Sequence, residues 1–202
     1  MHQNELKVSN LSYDRGQNKL FKNISFTLTG GEVLFVEGIN GSGKSSLLRL
    51  ITGIATPSSG TLFWCNKSRY GNHIHYIGHQ NGIKLGLTVL ENLQLAEVLL
   101  GKSSDSLESV LNMLRLDNCK NSLAGVLSAG QKRLLSLARL FLFKKSLWIL
   151  DEPCTALDCE MQELFLLQLT KHAQEGGIAV VSSHHAIPLR NIPTRTLRLN
   201  PC

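Results

Sequence analysis

The chain has 202 residues, 43% apolar and 18% charged, with 21 Lys plus Arg against 15 Asp plus Glu and a net charge of +6. This is a globular balance, neither disordered nor fibrous, and the length suits one domain carrying an inserted subdomain. The positive charge permits a nucleic-acid or anionic-membrane partner without demanding one, and no apolar run reaches the roughly 18 residues of a membrane span. The longest apolar stretch, Leu134 to Phe143, is interrupted by Arg139. Met1-His2-Gln3-Asn4-Glu5 has no basic region followed by an apolar one, so no signal peptide is expected. The cysteines, Cys65, Cys119, Cys154, Cys159 and Cys202, are odd in number and form no C-x-x-C pair. That pattern argues against a disulfide framework or zinc site and for a reducing compartment.

In chain order, short strands are predicted at Leu6–Ser9, Ile24–Leu28 and Glu32–Glu37, broken by Gly, Asn and Ser. Directly after the third comes Gly38-Ile39-Asn40-Gly41-Ser42-Gly43-Lys44-Ser45, which fits G-x-x-x-x-G-K-[ST]. Glycines let backbone N–H groups turn inward around phosphate oxygens, and the helix that follows adds its N-terminal dipole. The candidate nucleotide ligands are therefore Gly38, Asn40, Gly41, Ser42, Gly43, Lys44, Ser45 and Ser46. Lys44 can bridge the β- and γ-phosphates, and the Ser45 hydroxyl can bind Mg²⁺. Apolar spacing at Leu47, Leu48, Leu50 and Ile51 predicts a helix over Lys44–Ile54, stopped by Gly53 and Pro57.

Further strands are predicted at Thr61–Trp64 and Ile74–Gly78. His73 and His75 alternate along the latter and are expected on a solvated face. Leucine-rich helices are predicted at Thr88–Leu100 and Ser104–Leu116, and a third at Ala129–Phe143 with Ser128 as its N-cap. Then Ser146–Leu150 reads as a strand apolar on both faces, hence central and parallel, ending in Asp151-Glu152. Ligands bind at the carboxyl ends of such strands. Asp151 there can hold Mg²⁺ through water, and Glu152 can orient or deprotonate the attacking water. A helix at Cys159–Gln174, a break at Gly176-Gly177, and strands at Ile178–Ser182 and Arg195–Leu199 complete the chain. Strands, a helical block, then alternating strand and helix predict an α/β fold.

Between the two motifs, at the head of a helix, stands Leu127-Ser128-Ala129-Gly130-Gln131. With Gly38–Ser45 and Leu147–Glu152 it makes nearly the whole chain resemble the nucleotide-binding domain of ABC transporters, whose signature reads LSGGQ; Ala129 replaces one glycine. The resemblance implies a P-loop NTPase core with an antiparallel β subdomain and an inserted α-helical subdomain. It sets residues 1–84 and 144–202 in the α/β core and 85–143 in the helical subdomain. It also implies that Ser128, Gly130 and Gln131 face the γ-phosphate of ATP held by a second copy of the chain.

Other stations follow residue by residue. Tyr13 matches the aromatic that stacks on adenine. Asp158, in Thr155-Ala156-Leu157-Asp158, matches the aspartate that communicates across the dimer, though it can equally cap the next helix. His184 matches the switch histidine that contacts the γ-phosphate, with His185 the competing candidate. The family's Mg²⁺-contacting glutamine falls on His79 by the usual spacing and on Gln80 one residue later, and both stay open. The resemblance assigns catalysis to Glu152, His184 and Lys44, and metal contact to Ser45, Gln80 and Asp151, with ATP and Mg²⁺ as cofactors.

Tyr76-Ile77-Gly78-His79-Gln80-Asn81-Gly82-Ile83-Lys84, LSAGQKR at Leu127–Arg133 and LWILDEPCTALD at Leu147–Asp158 resemble the ATP-binding subunit of the haem exporter of cytochrome c maturation. That implies an ATP-driven export subunit, peripheral on the cytoplasmic face of the inner membrane, pulling on separate membrane permease subunits. Cys154 stands where a larger residue is expected and is read as a packing change. The alternatives are an ATPase for another cargo (lipid, peptide or drug) and, more remotely, a nucleic-acid-associated ATPase. A single domain with no heptad run leaves no nucleic acid expected.

Overall fold

A computed structural model of the chain describes residues 4–16, 18–65, 73–183, 189 and 191–200. The elements in order are β1 (Glu5–Arg15), β2 (Asn18–Thr29), β3 (Val33–Glu37), α1 (Lys44–Ile51), β4 (Ser59–Trp64), β5 (Ile74–Ile77), α2 (Val89–Leu100), α3 (Leu107–Met113), α4 (Ala129–Leu142), β6 (Leu147–Asp151), α5 (Cys159–Gln174), β7 (Ile178–Ser182) and β8 (Thr194–Arg198). The chain divides into two compact units, residues 1–78, 145–152 and 169–202 in the first and 79–144 and 153–168 in the second. Among the described residues no helix is long and apolar enough to cross a membrane.

The first unit holds both sheets. One is antiparallel in the order β2-β1-β4 and the other is parallel in the order β5-β6-β7-β3-β8. Every residue of β6 and β7 is buried, as are Val33 to Val36 of β3. Strands covered on both faces read as continuous apolar runs, which is why Val-Leu-Phe-Val, Leu-Trp-Ile-Leu and Ile-Ala-Val-Val stand where they do. The core joins Leu6, Val8 and Leu28 of the antiparallel sheet to Leu47, Leu48 and Ile51 of α1 and to Ile149 and Val180 of the parallel sheet.

Several elements differ from the expected bounds for physical reasons. β1 and β2 run longer than the alternation predicts because β1 shifts register between Val8 and Leu11, between Leu11 and Tyr13, and between Tyr13 and Asp14. Each shift breaks the two-residue period. α3 is three residues shorter at each end than predicted: Ser106 stands at its N-cap, and Arg115, at φ 55°, turns the chain out of the helix. His75 is not on a solvated face. It lies opposite Trp148 in the β5–β6 ladder and is buried.

The buried face of β6 carries one polar device. The Trp148 indole stacks on the His172 imidazole of α5, with ring centroids 4.0 Å apart and planes 7° off parallel. His172 Nε2 lies 3.1 Å from the Ile178 carbonyl oxygen, an acceptor that fixes the proton on Nε2. Gly177 leaves the room, since a Cβ there would come within 2.1 Å of the imidazole.

Burial lowers the His172 pKa from 6.5 to about 4, so the folded state holds a neutral ring. Stability from this group is present above pH 6.5 and is lost as pH falls toward 4, because the unfolded chain takes up the proton first. The loss amounts to about 3 kcal/mol by the bottom of that window. Urea unfolding across the window checks this: His172→Phe, which keeps a stacked ring without a titrating group, should show a flatter pH dependence. An unchanged slope would remove His172 as its source.

Candidate nucleotide site

Parallel register sets the first half of the site. β7 lies between β3 and β6, and Ser182 pairs with Val36 on one side and with Asp151 on the other. The carboxyl ends of all three strands therefore open on one edge, where the loop after β3 and the acidic pair after β6 both emerge.

The loop is built on its glycines. Gly38 has φ 154°, and a Cβ there would meet Ser42 Oγ at 2.4 Å and the Leu199 carbonyl at 2.6 Å. Gly43 is left-handed at φ 96°, and a Cβ on it would sit 3.1 Å from the Phe21 ring. Ser42 Oγ is buried without a hydrogen-bond partner among the described residues, a donor left for an oxyanion in the loop. Lys44, 6% exposed, gives Nζ to the Gly38 carbonyl at 2.7 Å and lies 3.9 Å from Glu152 Oε1. Tyr13 packs its ring on Phe21, centroids 6.2 Å apart, which ties it to the ring that lies against Gly43. Ser45 and Ser46 open α1 half-buried.

Asp151 is buried at 2% exposure, and its Oδ1 accepts from Ser182 Oγ at 2.6 Å. The Glu152 N–H donates to the same Ser182 Oγ at 2.9 Å, and Glu152 itself sits at φ 46°. A non-glycine residue held left-handed stores strain, and such strain gathers at working sites. Among the described residues no cluster of three or more His, Cys, Asp or Glu could hold a metal. The oxygens of Ser45 and Asp151 instead suit Mg²⁺, which takes few protein ligands and completes its shell with phosphate and water.

The second unit carries the other candidates. Ser128 and Gln131 form a capping box at the head of α4. Gln131 N–H donates to Ser128 Oγ at 3.1 Å and Ser128 N–H to Gln131 Oε1 at 2.9 Å. Gly130 is needed for a close approach, because a Cβ there would meet the Ala156 carbonyl at 2.7 Å. Asp158 caps α5, its Oδ1 accepting from Met161 N–H at 2.8 Å. His79 and Gln80 are both at the start of this unit, and both are exposed. His184 and His185 lie outside the described residues. Burial pushes the Cys154 thiol up to about 11, leaving a neutral packing group.

Sequence reasoning missed two polar nodes. One is Ser182, whose partner Asp151 is distant in sequence and becomes a neighbour only through strand pairing. The other is Asn81. Its Oδ1 accepts from Arg133, and its carbonyl accepts from Ser136 Oγ at 2.7 Å and from Arg139 at 3.3 Å. Arg133 also donates Nε to the Pro153 carbonyl at 3.1 Å, beside Glu152 in the chain. Burial, then the neighbouring Arg133, pulls the Arg139 guanidinium below its ordinary value. The adjacency of Asn81 to Gln80 was the only sequence signal pointing there.

A glycine-built phosphate loop opening a helix, beside a buried Asp and a Glu at the end of a parallel strand, is the apparatus of a P-loop nucleotide hydrolase. The model of the ABC transporter family matches residues 21–155. The chain is 44% identical to the "Cytochrome c biogenesis ATP-binding export protein CcmA" of Nitrosococcus oceani, over 98% of this chain and 93% of that protein. It is 37% identical to the protein of the same name from Haemophilus ducreyi, over 98% of each. A solved ATP-binding subunit of an ABC transporter superposes with a TM-score of 0.79 at 26% identity, covering 89% of this chain and 79% of the other. The dimeric ATP-binding cassette MJ0796, in a post-hydrolysis state bound to ADP and Pi, gives 0.74 at 25% identity over 89% and 88%. This chain belongs to the ABC transporter family.

Lys44→Ala should weaken ATP binding about 10- to 100-fold, the worth of a charge-assisted hydrogen bond to phosphate. Calorimetric titration with ATP and an unchanged thermal midpoint check this. Wild-type affinity in the folded variant would overturn the loop's role.

Proposed function

We propose that this chain is the ATP-hydrolysing subunit of an export complex serving cytochrome c biogenesis, powering haem-related export through separate membrane subunits. The observation that carries the reading is near-full-length identity of 37% and 44% to proteins named for that export role. The whole chain acts as one ATP-binding domain, peripheral on the cytoplasmic face of the inner membrane.

The residues support a defined division of labour. Backbone N–H groups of Gly38 to Gly43, with Ser42 Oγ, hold the phosphates, and Tyr13 offers its ring to adenine. Lys44 now bonds its own loop carbonyls and lies within reach of Glu152. It turns to the β- and γ-phosphates when they arrive, which frees Glu152 to hold the attacking water and take its proton. Ser45 and Asp151 would hold Mg²⁺, Gln80 or His79 being the further metal contact that the family resemblance implies, and the ion would supply charge neutralisation to the phosphates. His184 senses the γ-phosphate. Ser128, Gly130 and Gln131 present the head of α4 to ATP on a second copy, with Asp158 at the same junction, so the dimer closes on ATP and opens after hydrolysis.

The second unit offers a face for the membrane subunits. A groove lined by Ile83, Leu93, Ala96, Leu99, Leu100 and Arg139 belongs to the unit that also exposes Val98 and Leu85. Apolar surface of this kind marks a protein contact. Asn81, held by three side chains of α4, begins the loop that lines the groove, and it ties any load placed there to the signature helix.

Glu152→Gln should lower ATP turnover by about 10²- to 10⁴-fold while ATP binding and dimerisation persist. Cells lacking the chain should lose covalent haem staining of c-type cytochromes, restored by wild type and not by Glu152→Gln. Intact cytochromes in those cells would leave an ABC ATPase for a different cargo.

A further inference from the structure

We propose that Ser182 is a positioning residue for ATP hydrolysis: its single hydroxyl orients the Asp151 carboxylate for the metal and holds the Glu152 backbone for water attack. The inference rests on the nucleotide-hydrolase reading above and adds a residue to it.

Ser182 ends β7, the strand between the two that carry the phosphate loop and the acidic pair. Its side chain is fully buried at 0% exposure after four apolar residues, a position where a hydroxyl is costly unless both its capacities are used. Both are. The hydroxyl proton goes to Asp151 Oδ1 at 2.6 Å, and an oxygen lone pair receives the Glu152 N–H at 2.9 Å. A hydroxyl has one proton to give, so accepting from Glu152 directs that proton toward Asp151.

The two bonds act on different parts of neighbouring residues. The first fixes the rotation of the Asp151 carboxylate and so sets which edge of it meets metal-bound water. The second fixes the peptide entering Glu152, whose φ of 46° a non-glycine residue holds only where its surroundings impose it. Partners that orient a metal-side carboxylate typically tune metal affinity or activity about 10- to 100-fold. An alanine side chain at this position could supply neither bond, whereas a threonine keeps the hydroxyl that makes both.

The test uses the chain captured in complex with its membrane subunits for turnover, and the ATP-loaded chain titrated with Mn²⁺ by electron paramagnetic resonance for the metal. Ser182→Ala should lower kcat at least about tenfold with the KM for ATP within about twofold. It should also raise the Mn²⁺ dissociation constant about tenfold. Ser182→Thr should recover most of both. Val181→Ala, a buried neighbour on the same strand with no side-chain polar group, controls for loss of packing and should leave kcat and Mn²⁺ affinity near wild type. Wild-type kcat and Mn²⁺ affinity in Ser182→Ala would overturn the proposal. So would a folded Ser182→Thr no better than Ser182→Ala, or an equal kcat loss in Val181→Ala. Failure of the hydrolase reading would look different: Lys44→Ala and Glu152→Gln would then be silent as well.

Discussion

Main-chain hydrogen bonds that pair β7 with β3 on one side and β6 on the other set where the phosphate loop begins and where the carboxylates end. Because the three strands are parallel and buried on both faces, a slip of one residue would break the close packing of the side chains on each side of the sheet. The register is therefore strongly specified, and Val36, Ser182 and Asp151 stay level with one another. That levelling brings the loop after β3 and the end of β6 to one edge, where Lys44 and Glu152, of opposite charge, lie 3.9 Å apart.

The same constraint explains how polar groups survive at the bottom of the site. Asp151 is buried at the end of a strand that is otherwise apolar, and a carboxylate there needs donors. Ser182 supplies one from the adjacent strand. Lower on β6 the indole of Trp148 meets the neutral His172 ring, so the strand that delivers the carboxylates is wedged against α5. Rigid strands and packed rings hold chemistry-bearing atoms better than loops do, which suits a site where small displacements are expensive in rate.

Much of this was legible in the sequence because the signals were local. Gly38 to Ser45 is contiguous, and Leu147 to Glu152 declares both a buried strand and its carboxylate end. The helix at Cys159–Gln174 and the strand at Ile178–Ser182 fall on their expected bounds. What stayed hidden depended on pairing across the chain. The bulges that carry β1 to Arg15 erase alternation, and Ser182 looks like any strand-ending serine until β6 is placed beside it. Asn81 gives no hint that Arg133, Ser136 and Arg139 converge on it, because helical spacing shows which residues share a face but not what that face meets. His75 misled for the same reason: alternation with His73 says nothing about what covers that face of β5.

Ala129 in the signature has a physical reading within the second unit. The capping box uses the side chains of Ser128 and Gln131, and neither depends on the side chain carried by the residue after Ser128. Gly130 is the position where a side chain would strike the Ala156 carbonyl, so that glycine is constrained and its neighbour is not. A methyl group at 129 also favours the first turn of α4, since alanine has the higher helix propensity. The departure from LSGGQ therefore preserves the two features the loop requires: the capped, donor-bearing head of α4 and its close approach to the segment before Asp158.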